Sequence, residues 1–170
     1  MSDNTKVFST RQEKMVAKEL GGYPVGGSGA MPTSPGDVKT YDWLVECKTH
    51  TEPGHSILFN LAVWKKIQNE ALPMHRKPVL IVDDGSQLAA NNWCLCRAAN
   101  LDLSKTVLLD WPVQVKKNIS CSLSKLSDAF RIGMKPYLGT FYDTAVYQIN
   151  WANDKVVIMP LKIFKELMNK

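Results

Sequence analysis

The sequence predicts an α/β protein built on a mixed β-sheet flanked by helices, and three observations carry that expectation. A tight hairpin can be read between residues 37 and 46, residues 56–71 repeat apolar side chains with a helical period, and Pro78-Val79-Leu80-Ile81-Val82 is an apolar run of strand length. A hairpin, a crossover helix and a further strand are the start of such a sheet. With 170 residues and 45% hydrophobic content, the chain has room for one domain over residues 1–170. Its core is expected over residues 9–85, followed by a C-terminal extension of strands and a terminal helix.

The first expected element is a helix over residues 9–20. Thr10 and Glu13 have the spacing of a capping box, Val16 and Leu20 follow on the face of Glu13, and Gly21-Gly22 stops the run. Two roles are therefore open to Glu13: a cap folded back on the helix start, or an acid leaning out from the helix. Six of the ten glycines fall between residues 21 and 36, which makes a flexible connecting loop. Ser28 and the loop amides are candidate phosphate contacts.

The hairpin follows. If Tyr41 and Asp42 form its turn, Thr40 faces Trp43, Lys39 faces Leu44, Val38 faces Val45 and Asp37 faces Glu46. Opposed residues share a sheet face with Cβ atoms roughly 5 Å apart, so two carboxylates could share one hard cation through oxygen ligands. Lys48 alternates back to the face of Glu46, about 6–7 Å along the strand. A Glu-x-Lys triplet alone means little in a lysine-rich chain. Here, however, Trp43-Leu44-Val45 is apolar on both faces, as in a buried central strand, and charges at the end of such a strand need a partner or a task.

The helix over residues 56–71 places Ile57, Leu61, Trp64 and Ile67 on a core stripe, with Lys65, Lys66 and Gln68 largely outside it. The strand over residues 78–82 ends at Asp83-Asp84-Gly85, where the acids read as a strand-exit turn. Beyond it, the pattern predicts a strand over 106–109, a helix over 123–130, a hairpin of 145–149 with 156–159 around Asn153-Asp154, and a helix over 161–168.

A net charge of +5 and an isoelectric point near 9.0 are compatible with a nucleic-acid ligand. Lys65-Lys66, His75-Arg76-Lys77 and Lys116-Lys117 are either solvated surface or a patch that neutralises phosphate. No helix-turn-helix, zinc-finger or aromatic RNA-binding signature is present, so any recognition would be of shape and backbone. The cysteines at 47, 94, 96 and 121 lack zinc-ligand spacing and are expected as reduced thiols. With no long uncharged apolar stretch and no basic-then-apolar leader, a cytoplasmic protein without membrane contact is expected.

Asp37, Glu46-Cys47-Lys48 and the preceding helix bearing Glu13 resemble the PD-(D/E)XK nuclease superfamily. The order Arg11-Gln12-Glu13, Gly27-Ser28-Gly29-Ala30, Pro35-Gly36-Asp37 and Glu46-Cys47-Lys48 is similar to that of archaeal and phage Holliday junction resolvases, over roughly residues 9–82. The resemblance implies a restriction-endonuclease-like core that acts as a homodimer on four-way DNA junctions, with branched or duplex DNA as its partner, in the host cytoplasm if phage-encoded. It implies Mg²⁺, with Mn²⁺ as a substitute, held by Asp37, Glu46 and the backbone carbonyl of Cys47. Lys48 would orient or activate the water, Glu13 would be an auxiliary acid, and Ser28 would belong to the junction-contacting loop. Arg11, Lys65, Lys66, Arg76 and Lys77 are the candidate DNA-binding cations. Two features depart from the pattern: Gly36 separates the proline from the aspartate, and Asn60 is the nearest match to the polar residue often found in the following helix. A restriction, repair or exonuclease role is the rival within the superfamily. A catalytically silent DNA-binding module is the rival outside it, and the intact trio argues against that.

Overall fold

The computed structural model describes residues 3–26, 34–54, 56–137 and 144–169. Helix α1 (Asp3–Leu20) leads through the short strand β1 (Tyr23–Pro24) to the hairpin of β2 (Val38–Lys39) and β3 (Trp43–Lys48). The helix begins at Asp3 and not at residue 9, which places Thr10 and Glu13 inside it. The capping-box spacing is therefore coincidental, because interior amides already bond within the helix.

The expected helix over 56–71 divides into β4 (Ser56–Phe59) and α2 (Leu61–Ala71). Ile57 and Phe59 are buried while Ser56 and Leu58 are exposed, a period of two that a helix does not produce. Asn60 separates the two elements: its Oδ1 accepts from the amides of Ala62 at 2.8 Å and Val63 at 3.4 Å, a side-chain N-cap. The polar residue sought within the helix is thus its cap.

β5 (Lys77–Asp83) then lies parallel to β3, from Trp43 opposite Lys77 to Lys48 opposite Val82. β6 (Asn92–Arg97) was not expected: all but its last residue are buried, so it shows no alternation. The remaining elements are β7 (Thr106–Asp110), β8 (Ile119–Ser122), α3 (Leu123–Met134), β9 (Thr144–Trp151), β10 (Asp154–Pro160) and α4 (Leu161–Leu167). The order of the main mixed sheet is β1-β2-β3-β5-β6-β10-β9-β7, and β4 pairs with β8 in a separate two-stranded sheet. Among the described residues no helix is long and apolar enough to cross a membrane.

Each face of the main sheet is covered. Val16, Ala17 and Leu20 of α1 and Leu161, Phe164 and Leu167 of α4 pack on Trp43, Val45, Val79 and Ile81. On the other face, Trp64, Ile67 and Ala71 of α2, with Leu126 of α3 and the β4–β8 pair, pack on Leu44, Leu80 and Val82. Trp43 meets Phe164 edge to face, with ring centroids 4.9 Å apart.

The hairpin has the register expected from its turn, Val38 opposite Val45 and Lys39 opposite Leu44. The ladder does not continue to an Asp37–Glu46 pair. Instead the Asp37 amide donates to the Val45 carbonyl at 2.8 Å, so residues 37 and 38 share one partner in the manner of a β-bulge. Gly36 makes this possible with φ of 71°, and a Cβ there would lie 2.6 Å from Leu44 Cδ1. Gly36→Ala combines a left-handed backbone with overpacking and should destabilise the fold by about 2–4 kcal/mol. Urea unfolding should show the loss as a lower midpoint with an unchanged slope.

Candidate functional site

The site forms where β2 turns away from β3. Beyond Val45 the amide of Cys47 has no ladder partner in β2, and Asp37 Oδ2 accepts it at 2.7 Å. This bond fixes the Asp37 carboxylate against the stretch from Glu46 to Lys48. Glu46 and Lys48 share the sheet face toward α2, and Glu46 is buried at 2% exposure. Its carboxylate is held by two ammonium groups: Lys48 Nζ lies 2.7 Å from Oε1, and Lys66 Nζ lies 3.3 Å from each oxygen. Lys66 also approaches Glu70 Oε1 at 3.6 Å, and Glu70 Oε2 accepts the Gly36 amide at 3.2 Å.

Glu13 reaches the same region from α1. Its pKa is pushed up from 4.5 to about 7 by burial first and by the negative charge of Asp37 next, with Glu46 adding to the rise and Lys48 opposing it. Desolvation pulls the Lys48 ammonium down, but the charge and hydrogen bond of Glu46 and the charge of Asp37 outweigh it and keep its pKa raised. Burial, followed by the charges of Asp37, Glu13 and Glu46, pushes the Cys47 thiol far up. A thiol so held does not ionise near neutral pH, which leaves its backbone as the contribution of Cys47 to the site.

Asp37, Glu46, Lys48 and Glu13 are therefore brought together, with the Cys47 backbone between the two strand charges. Among the described residues no group of three or more His, Cys, Asp or Glu side chains is arranged to hold a metal ion. Lys48 and Lys66 hold Glu46, and the Cys47 amide holds one oxygen of Asp37.

The expected DNA-binding residues separate. Ser28 lies outside the described residues. Arg11 and Lys65 are exposed on α1 and α2. Lys66 belongs to the carboxylate cluster itself. Arg76 and Lys77 sit at the far end of the β3–β5 pair, about 16 Å from Lys48 along the strands, where Arg76 Nε donates to the Thr40 carbonyl and Lys77 lies over the Trp43 ring. Both side chains contact the hairpin there.

Two features were not anticipated. The Lys66–Glu70 pair carries an i, i+4 signal in the sequence, but its reach to Glu46 depends on how α2 crosses the sheet. Gln12 is buried; its Nε2 donates to the Lys48 carbonyl at 3.2 Å and to Asn92 Oδ1 at 3.0 Å, tying α1 to the end of β3 and to β6. The acids at the end of β5 form the strand-exit turn: Asp83 Oδ1 accepts from the Gly85 amide and from Thr49, and Asp84 Oδ1 accepts from the Ser86 amide. A pocket of about 220 Å³ opens beside Lys48, with apolar lining from Leu58, Val63 and Leu80 and polar lining from His50 and Asn60.

No protein-family model matches the chain, and comparisons with curated proteins and with solved structures find no match. The case for a function therefore rests on the site.

The Glu13 shift has a sign that can be measured. Between pH 4.5 and about 7 the folded protein retains a proton that the unfolded chain releases, so stability falls as pH rises through this window. After allowance for solvent screening, Glu13→Gln should stabilise the metal-free protein by about 1 kcal/mol at pH 8. Urea unfolding with chelator should show that gain shrinking toward zero as the pH is lowered to 4.5.

Proposed function

We propose that this chain is a Mg²⁺-dependent DNA endonuclease with a restriction-endonuclease-like core, selective for branched DNA and acting as a homodimer in the way of a Holliday junction resolvase. The single observation that carries the reading is the convergence of Asp37, Glu46, Lys48 and Glu13 where β2 leaves β3.

The donors suit a hard divalent cation in kind. They are carboxylate oxygens with a strand carbonyl between them, the hard oxygen ligands that such an ion prefers. Asp37, Glu46 and the Cys47 carbonyl would hold Mg²⁺, or Mn²⁺ in its place. When bound, such an ion supplies charge to a phosphoryl oxygen and lowers the pKa of its water.

The chain's own groups account for the remaining chemistry. Lys48 stays an ammonium and offers a fixed positive charge to the pentacoordinate phosphorane as negative charge builds on it. Glu13, titrating near neutral pH, can take a proton from the attacking water. The water oxygen bonds to phosphorus, the bond to the 3′ oxygen breaks, and the leaving oxygen gains a proton, giving a 3′-hydroxyl and a 5′-phosphate. A two-fold dimer would present two such sites to symmetric strands of a junction.

Cleavage of a synthetic four-way junction, compared with a linear duplex of the same arm sequences in Mg²⁺ and in chelator, tests the reading. The junction should be nicked symmetrically and only with the metal. Equal cutting of both substrates would remove the junction selectivity, and sequence-dependent cutting of the duplex would favour a restriction or repair role. Asp37→Asn should lower the cleavage rate by about 10²–10³-fold while leaving junction affinity intact. Full retention of metal-dependent cleavage would eliminate the site.

A further inference from the structure

We propose that Lys66 is an exchangeable counter-ion, which neutralises Glu46 until a divalent cation takes the carboxylate and then turns to a phosphate of the bound DNA. The inference rests on the metal-dependent reading above and assigns a role within it to a residue of α2.

A carboxylate as buried as Glu46 needs positive charge beside it. Lys48 and Lys66 supply two charges, the same total as one divalent ion. Lys66 Nζ lies 3.3 Å from each oxygen of Glu46 and so stands where a cation bound by both oxygens would sit, and the two cannot share that place. The geometry distinguishes the two ammonium groups. Lys48 projects from the same strand as Glu46, makes the 2.7 Å contact and is held by the charge of Asp37 as well. Lys66 reaches in from a separate helix and makes the longer contact, at 3.3 Å.

Lys66 also has somewhere to go. Glu70, one turn further along α2, lies 3.6 Å from its ammonium and is itself anchored to the Gly36 amide. Swinging from Glu46 toward Glu70 and solvent keeps Lys66 partly compensated while it becomes available beside the scissile phosphate. Because binding couplings are reciprocal, a cation that releases Lys66 strengthens DNA binding, and DNA that captures Lys66 strengthens cation binding.

Mg²⁺ titration by calorimetry, without DNA, tests the first half. Lys66→Met should bind Mg²⁺ about tenfold more tightly than wild type, since the competing ammonium is gone, and Lys66→Arg should stay within about twofold of wild type. Equal affinity of Lys66→Met and wild type would overturn the exchange while leaving the metal site standing. Absence of Mg²⁺ binding in all three proteins would overturn the metal-dependent reading itself.

The salt dependence of junction binding, followed by fluorescence anisotropy in Ca²⁺ and in chelator, tests the second half. In Ca²⁺ the slope of log K against log salt should fall by about 0.9 in Lys66→Met, the signature of one lost phosphate contact, and in chelator it should match wild type. The same fall in both conditions would make Lys66 a permanent phosphate ligand and overturn the exchange. Thermal unfolding followed by circular dichroism checks that each variant is folded.

Discussion

The buried carboxylate of Glu46 is the constraint around which this end of the molecule is arranged. An ion taken out of water costs several kcal/mol unless counter-charges and hydrogen bonds replace its hydration. Two elements provide the counter-charge: the strand itself through Lys48 and the helix laid across it through Lys66. Asn60 caps the start of α2, the apolar stripe of Trp64, Ile67 and Ala71 turns inward, and Lys66 then falls beside Glu46.

The second carboxylate depends on backbone geometry. The left-handed Gly36 and the bulge at residues 37 and 38 end the β2–β3 ladder and turn Asp37 toward the amide of Cys47. The break in the sheet and the placement of the acid are thus one event. It opens the edge of β3 next to Glu46, and Glu13 comes in from α1, which Gln12 ties to the Lys48 carbonyl. Burial first and the charge of Asp37 next raise the Glu13 pKa, so the three acids meet at one strand end with Glu13 the easiest of them to keep protonated there.

Where the sequence speaks through short-range geometry, it is legible. The even-numbered turn at Tyr41-Asp42 sets the hairpin register by counting, the apolar run from Pro78 to Val82 is a parallel partner of β3, and β9 and β10 form a hairpin whose turn, at Ala152 and Asn153, lies one residue before the expected Asn153-Asp154. Illegible features are those decided by tertiary context. Ile57, Leu61 and Trp64 fit a helical stripe, yet β8 recruits Ser56–Phe59 as a strand, and only the alternation within those four residues and the capping character of Asn60 betray it. Thr10 and Glu13 imitate a helix start inside a longer helix. Asn92–Arg97 shows no period because both of its faces are covered. In the site, the expected trio of Asp37, Glu46 and Lys48 is brought together, but through a bulge and a side-chain bond to Cys47 instead of a direct cross-strand pair. Lys66 belongs to the cluster only because of the angle at which α2 crosses the sheet, and sequence spacing carries no such angle.

Locating the cation directly tests the central claim, that this carboxylate cluster is a metal site. Anomalous diffraction from crystals soaked in Mn²⁺ would do so. The account predicts a single strong peak within about 2.0–2.4 Å of oxygens from Asp37, Glu46 and the Cys47 carbonyl, with Lys66 displaced from Glu46. A cluster without manganese, with Lys48 and Lys66 still paired to Glu46 at saturating metal, would contradict it.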